Sequence, residues 1–257
     1  MTDEEMRTAV CGECGEALFH YQNDLIGYRP RDCACKRRIR EEEERRDAEA
    51  RERVRRDGAR RLCFGTQERL MEYTFGSFNR ENGNALDVKE RCVRYAADFD
   101  NMVKSGRGLF LCGPAGVGKT HLAAAVCNAL IDSRPGSSPF FTSFREVEQA
   151  LIRGDGDVEE KLRRRRLVVL DDFGAEFRTK LTEDKIKEAV NLRVNSGLPM
   201  IVTSNYTKER MSKPENEFDK YVFSRFYEAC DSLFIDAADV RMLIHTERKK
   251  DQTGAIC

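Results

Sequence analysis

The chain has 257 residues, enough for one large domain or for a medium domain with a small appendage. Its 45 Lys and Arg offset 45 Asp and Glu, so net charge points to no partner and only local runs can do so. No apolar run approaches the ~20 residues that span a bilayer, and the acidic start, Met1 to Glu5, lacks the apolar stretch of a signal peptide. The expectation is a cytoplasmic protein with reduced thiols and no membrane partner.

Residues 1–35 hold little apolar sequence and two close cysteine pairs, Cys11 with Cys14 and Cys33 with Cys35. Four soft ligands in two pairs suit a tetrahedral Zn²⁺ site. Gly12 and Gly15 fit the tight turn of a knuckle. The second pair has one intervening residue where two are commoner, His20 is an alternative ligand, and a redox disulfide is the competing reading. Zinc is favoured because so polar a segment cannot fold on its own core and needs a staple. Cysteines 63, 92, 112, 127, 230 and 257 are scattered and read as packing or incidental residues.

Residues 36–66 are dominated by Arg, Glu, Asp and Ala. Glu41 with Arg45, Glu42 with Arg46, Glu49 with Arg53 and Glu52 with Arg56 are i,i+4 pairs with the acid leading, the better orientation on a helix. Large apolar residues are too few for a buried stripe, and Gly58 is the expected stop or kink. A solvated helical spacer is the plainer reading; a partner-docking or DNA-touching arm is the other.

From residue 67 short apolar runs alternate with helical patterns. The expected strands lie at 109–112, 140–144, 167–170, 200–203 and 232–235. The expected helices lie at 119–131, 145–152, 158–164, 182–196 and 221–229, with Thr182 as the N-cap of the fourth. Alternation of this kind implies a parallel sheet covered on both faces.

Between the first of these strands and the first helix stands Gly113, Pro114, Ala115, Gly116, Val117, Gly118, Lys119, Thr120, a complete G-x-x-x-x-G-K-T loop in the strand–loop–helix setting that the chemistry needs. Glycines let backbone N–H groups point inward at phosphates, and the helix N-terminus adds positive potential. Lys119 can reach the β- and γ-phosphates, and the Thr120 hydroxyl can bind Mg²⁺. About 50 residues on, an apolar strand runs into Asp171 and Asp172. Two carboxylates at a strand end are costly unless a cation lies beside them. Asp171 would hold Mg²⁺, and Asp172 would polarise the attacking water. Asn205, after the strand at 200–203, could hydrogen-bond the γ-phosphate or that water, although Asn often simply starts a turn. Arg163, Arg164, Arg165 and Arg166 form the densest basic run, either a phosphate-tracking DNA contact or a solvated helix end.

These elements have the order and spacing of AAA+ ATPases. The chain resembles the bacterial helicase loaders of the DnaC and DnaI type and the related IstB transposition ATPases. The residues that carry the resemblance are 108–123 around the glycine loop, 170–176, Thr203 to Asn205, Ser224 to Phe226 and Asp239 to Arg241, with Tyr73 to Phe78 similar to the linker that enters this domain. The resemblance, which covers roughly residues 65–250, implies a five-stranded AAA+ P-loop domain with a reduced lid; with the composition of the preceding segments it gives a zinc-binding module at 1–35, a charged helical linker at 36–66 and the ATPase domain at 67–257. It implies ATP or ADP with Mg²⁺, a nucleotide set that takes in the glycine loop with His121, Asp171 and Arg241, and Lys119, Asp172, Asn205 and Arg225 as catalytic residues. Asn205 then corresponds to sensor 1, Arg225 to an arginine finger that completes a neighbour's site in a homo-oligomer, and Arg241 to sensor 2. Many AAA+ proteins carry Asp-Glu where this chain has Asp171 and Asp172; the shorter second acid implies slow, switch-like hydrolysis.

The leading expectation is an ATP-controlled loader that docks a replicative DNA helicase through its N-terminal region and delivers it to single-stranded DNA. The alternative is an IstB-like ATPase that acts on duplex DNA in transposition. A small-molecule P-loop kinase is a third class, disfavoured because no acceptor-substrate motif is evident.

Overall fold

The computed structural model describes residues 2–23, 27–79, 83–175 and 179–237. Arg241 and the sequence around it therefore lie outside the described residues, and with them the expected reduced lid. The chain divides into two units, residues 1–57 and 58–257.

In the first unit the helix α1 (Asp3–Thr8) precedes an antiparallel hairpin of β1 (Phe19–Asn23) and β2 (Gly27–Pro30). The helix α2 follows (Ala34–Phe64). Gly58 does not stop it. A single glycine inside a helix costs only ~1 kcal/mol, and the stop comes at Gly65, where φ is +56° and the N–H bonds back to Arg61 O at 2.9 Å. Only glycine takes that left-handed cap at little cost. Along the helix Glu42 binds both Arg45 and Arg46, and Glu52 binds both Arg55 and Arg56. Arg45 turns to Glu42 and Glu49 rather than to Glu41.

The second unit continues through a 3₁₀ turn (Glu68–Glu72), α3 (Ala85–Ala97) and α4 (Phe99–Ser105). Then strands and helices alternate: β3 (Gly108–Cys112), α5 (Lys119–Ser133), β4 (Phe140–Ser143), α6 (Phe144–Ile152), α7 (Gly156–Arg164), β5 (Val168–Phe173), α8 (Lys180–Asn195), β6 (Met200–Ser204), α9 (Lys208–Ser212), α10 (Glu217–Ala229) and β7 (Cys230–Phe234). The five strands form one parallel sheet in the order β4-β5-β6-β3-β7.

Strand periodicity sends alternate residues to two cores. Leu109, Leu111, Val169 and Ile201 face one, with α5 and α3; Phe110, Val168, Leu170, Met200 and Val202 face the other, with α6, α8 and α10. A sheet covered on both faces needs the near-continuous apolar strands seen in the sequence.

Two further expectations are corrected. Helix α8 begins at Lys180, not Thr182, because Thr179 is the cap: its hydroxyl accepts from the Thr182 N–H, and the Thr182 hydroxyl accepts in return from the Thr179 N–H. Phe144 opens α6 instead of ending β4, since Ser143 and Glu146 form a capping box there.

Candidate nucleotide site and cysteine cluster

The C-terminal ends of β3, β5 and β6, central in the sheet, bring the expected residues together, at the edge where parallel α/β sheets bind ligands. The glycine loop bridges β3 to α5. Gly118 has φ +98°, and a Cβ there would stand 2.5 Å from the Phe78 ring, so both the backbone turn and the close approach demand glycine. Lys119 is buried, and its ammonium donates to Gly113 O (2.9 Å), Pro114 O (2.7 Å) and Asn205 Oδ1 (2.7 Å). The Thr120 hydroxyl donates to Asp171 Oδ1 at 3.0 Å. Lys119 and Thr120 of the loop thus meet Asn205 and Asp171, which come from two other strands.

Asp171 is buried, and that burial pushes its pKa up to about 6. Hydrogen bonds from Thr203 and Thr120 and the Lys119 charge oppose the shift, while Asp172 adds to it. A buried carboxylate beside a hydroxyl offers oxygen ligands to a divalent cation, whose charge would offset the desolvation. Asp172 is exposed and has φ +59°. The ladder between β5 and β6 loses register there, Leu170 facing Val202 but Phe173 facing Ser204. Asp171 and Asp172 together therefore oppose Thr203 alone, a bulge that re-aims the second acid.

His121 is held by the entering segment. Its ring stacks on Tyr73 (centroids 4.4 Å apart, 5° between planes), meets Phe78 edge-on, and Nε2 lies 2.9 Å from Thr74 O. Seven residues on, the buried Asn128 donates to Leu70 O and Tyr73 O and accepts from Arg60 Nε. One face of the phosphate-loop helix thus fastens residues 60–78. A lone Asn within the apolar run 122–131 was the available signal for this.

Arg225 lies on α10, paired with Glu228 at 2.9 Å and near the Tyr221 ring. The basic run is internally paired: Arg163 with Glu159, Arg164 with Glu160, Arg165 with Ser138 and Arg166 with Asp100. The carbonyls of Leu162, Arg165 and Arg166, with Pro199 O, accept from the buried Arg193, a residue that sequence reasoning passed over.

In the first unit the thiols of Cys11, Cys14, Cys33 and Cys35 all lie within 4.8 Å of one another. Three separations are 3.3 Å (Cys11–Cys35), 3.2 Å (Cys33–Cys35) and 3.5 Å (Cys14–Cys35). His20, on β1, is not in the group. Backbone N–H groups of Cys14 and Glu13 hold Cys11 down to about 6, while the surrounding thiols Cys33, Cys11 and Cys14 push Cys35 up to about 12. Turn amides aimed at sulfur and four thiols at one point fit a tetrahedral thiolate metal such as zinc, which would supply a structural cross-link. Glu16 ties the two pairs together, accepting from the Ala34 N–H at 2.5 Å and from Arg31 at 2.6 Å. Among the described residues no helix is long and apolar enough to cross a membrane.

Strand order, phosphate loop and paired acids define an AAA+ P-loop domain that binds ATP. The chain belongs to the IstB-like ATP-binding protein family, whose model matches residues 39–241. It is 28% identical over 151 residues to the replicative helicase loader DnaI of Bacillus subtilis, covering 56% of this chain and 48% of that one. It is 27% identical over 147 residues to the replicative helicase loader DnaC of Escherichia coli, covering 54% and 58%. The chain thus spans about half the length of the curated relatives it matches. The crystal structure of the DnaC helicase loader superposes with a TM-score of 0.58 at 24% identity, covering 65% of this chain and 99% of that one, and supports the fold.

Proposed function

We propose that this chain is an ATP-controlled loader that docks a replicative DNA helicase through its cysteine module and passes it to single-stranded DNA. The observation that carries the reading is the convergence of Lys119, Thr120, Asp171 and Asn205 at one sheet edge, a site for a Mg²⁺-bound triphosphate. Lys119 would neutralise the β- and γ-phosphates, Thr120 and Asp171 would hold the metal, and Asn205 would orient the γ-phosphate or its attacking water. Asp172 polarises that water. Its short side chain supports slow turnover, so that the nucleotide times an assembly. Arg225 would complete the site of a neighbouring copy, where a positioned guanidinium stabilises charge on the transferring group. Arg241 would contact the nucleotide of its own subunit. DNA would follow Arg163 to Arg166, where the exposed pairs of Arg163 with Glu159 and Arg164 with Glu160 are weak enough to exchange a carboxylate for a phosphate.

The named relatives DnaI and DnaC support the loader reading, as does a cysteine module suited to docking. The family description favours the second reading, an ATPase that serves transposition on duplex DNA. A pull-down with the resident replicative helicase separates the two. The full chain retains the helicase and a chain lacking residues 1–62 does not; failure of the full chain to bind it supports the transposition role.

A further inference from the structure

The bulge that aims Asp172 removes its N–H from the β5–β6 ladder, and β6 repairs the loss with side chains. Thr203 is fully buried. Its hydroxyl lies 2.9 Å from the Asp172 nitrogen and 2.6 Å from Asp171 Oδ1. An amide N–H can only donate, so the hydroxyl accepts there, and its single proton goes to the Asp171 carboxylate. The two bonds are thereby assigned without ambiguity. The next residue completes the repair, since the Ser204 hydroxyl donates to Phe173 O at 2.8 Å. Valine has nearly the shape of threonine and would fill the same space, so packing alone does not call for the hydroxyl.

We infer that Thr203 is a positioning residue for the ATPase site, one hydroxyl fixing the carboxylate of Asp171 toward the metal and the left-handed backbone of Asp172 toward the water. Thr203 touches neither nucleotide nor metal itself. It acts through the two acids, and it sits two residues before Asn205, so the strand that carries the γ-phosphate sensor also sets the acids. The inference rests on the nucleotide reading above and adds a residue to which that reading gives no role.

The test uses the full chain with Thr203→Val and Thr203→Ser. Removing a partner that orients a metal ligand typically costs ~10–100-fold in metal affinity or activity. T203V is expected to bind a fluorescent ATP analogue without Mg²⁺ within about twofold of the wild type. Its Mg²⁺ half-saturation rises about tenfold, and its kcat falls ~10–100-fold with KM little changed. T203S, which keeps the hydroxyl, recovers most of both. Wild-type Mg²⁺ dependence and kcat in T203V overturn the inference, and so does a T203S as impaired as T203V, which would mark the loss as one of packing. A measurement on the wild type alone guards against a variant that fails to fold. The Asp172 amide, although outside the ladder and on an exposed residue, should exchange with solvent as slowly as its neighbours in β5. Exchange at the rate of an exposed turn overturns the inference while leaving the proposed function intact. A wild type with no Mg²⁺-dependent nucleotide binding overturns the proposed function, and the metal-orienting role of Thr203 falls with it.

Discussion

At the residue scale the acids and arginines divide by what each can affect. Asp172 is exposed and outside the hydrogen-bonded cradle of Lys119; on the proposed reading its carboxylate would bear on the water and not on phosphate binding. Asp172→Asn is expected to lower ATP turnover about 100-fold with nucleotide affinity within about twofold. Arg225 lies on α10, paired with Glu228, so Arg225→Ala should also spare binding. Its deficit should differ in kind: turnover of the wild type is expected to rise with protein concentration, and in the variant that rise should disappear, a loss of up to about 1,000-fold at full assembly. Steady-state hydrolysis across a concentration series distinguishes the two. An Arg225→Ala chain whose rate still climbs with concentration sinks the finger assignment. In the sequence Asp172 was legible from its place after an apolar strand downstream of the glycine loop, whereas Arg225 rested on the family resemblance alone. Thr203 and Asn128 were less legible. Each acts by spanning elements, Thr203 from β6 to β5 and Asn128 from α5 to residues 60–73, and a single sequence gives no spatial neighbours.

At the element scale, helices α2 and α8 show how local chemistry decides boundaries. The cap of α8 was expected three residues late, since Thr182 satisfies the cap rule as well as Thr179 does. The two form one reciprocal pair, and only the outer member is the cap. Thr179→Ala should cost ~1 kcal/mol of stability, read as a drop in denaturation midpoint at unchanged slope. A midpoint unmoved by the change would show that the cap contributes nothing. For α2 the periodicity was right and the stop was wrong, because a helix supported by ion pairs on its surface tolerates one glycine. Glu52 is held down to about 2 by Arg55 and Arg56, and Glu42 is likewise lowered, first by Arg45. For an acid with a depressed pKa, the stabilisation is present above the ordinary value near 4.5 and is lost as pH falls toward the folded value. Helical circular dichroism of a peptide covering residues 36–62 should therefore decline as pH falls from about 4.5 toward 2 and should weaken in high salt at neutral pH. A signal flat across that acid range would mean the glutamate–arginine pairs do not support the helix.

At the scale of the whole molecule, the two units are held by different physics. Residues 58–257 contain two hydrophobic cores, one on each face of the sheet, so their alternating pattern was readable as a parallel α/β fold. In residues 1–57 Cys33 is the one buried hydrophobic residue among those described. Such a segment has too little apolar burial to offset its own chain entropy. The hairpin β1–β2 went unread for the same reason, since it has no core to impress a period on the sequence. Its order must come from a cross-link, and the four converging thiols supply the ligands for one. Metal removal should therefore act on one unit alone. The reduced full chain is expected to carry about one Zn²⁺, measured by elemental analysis. A strong chelator at neutral pH should expose residues 2–35 to protease and leave ATP affinity and the thermal transition of residues 58–257 within error. Adding ATP with Mg²⁺ should do the converse, raising that transition without protecting the cysteine segment, because a ligand stabilises only the fold it binds. Cys33→Ser should reproduce the chelated pattern. A metal-free chain whose first 35 residues resist protease as well as the metal-loaded one would show that the thiols cross-link nothing. Loss of ATP binding on chelation would show that the two units do not fold independently.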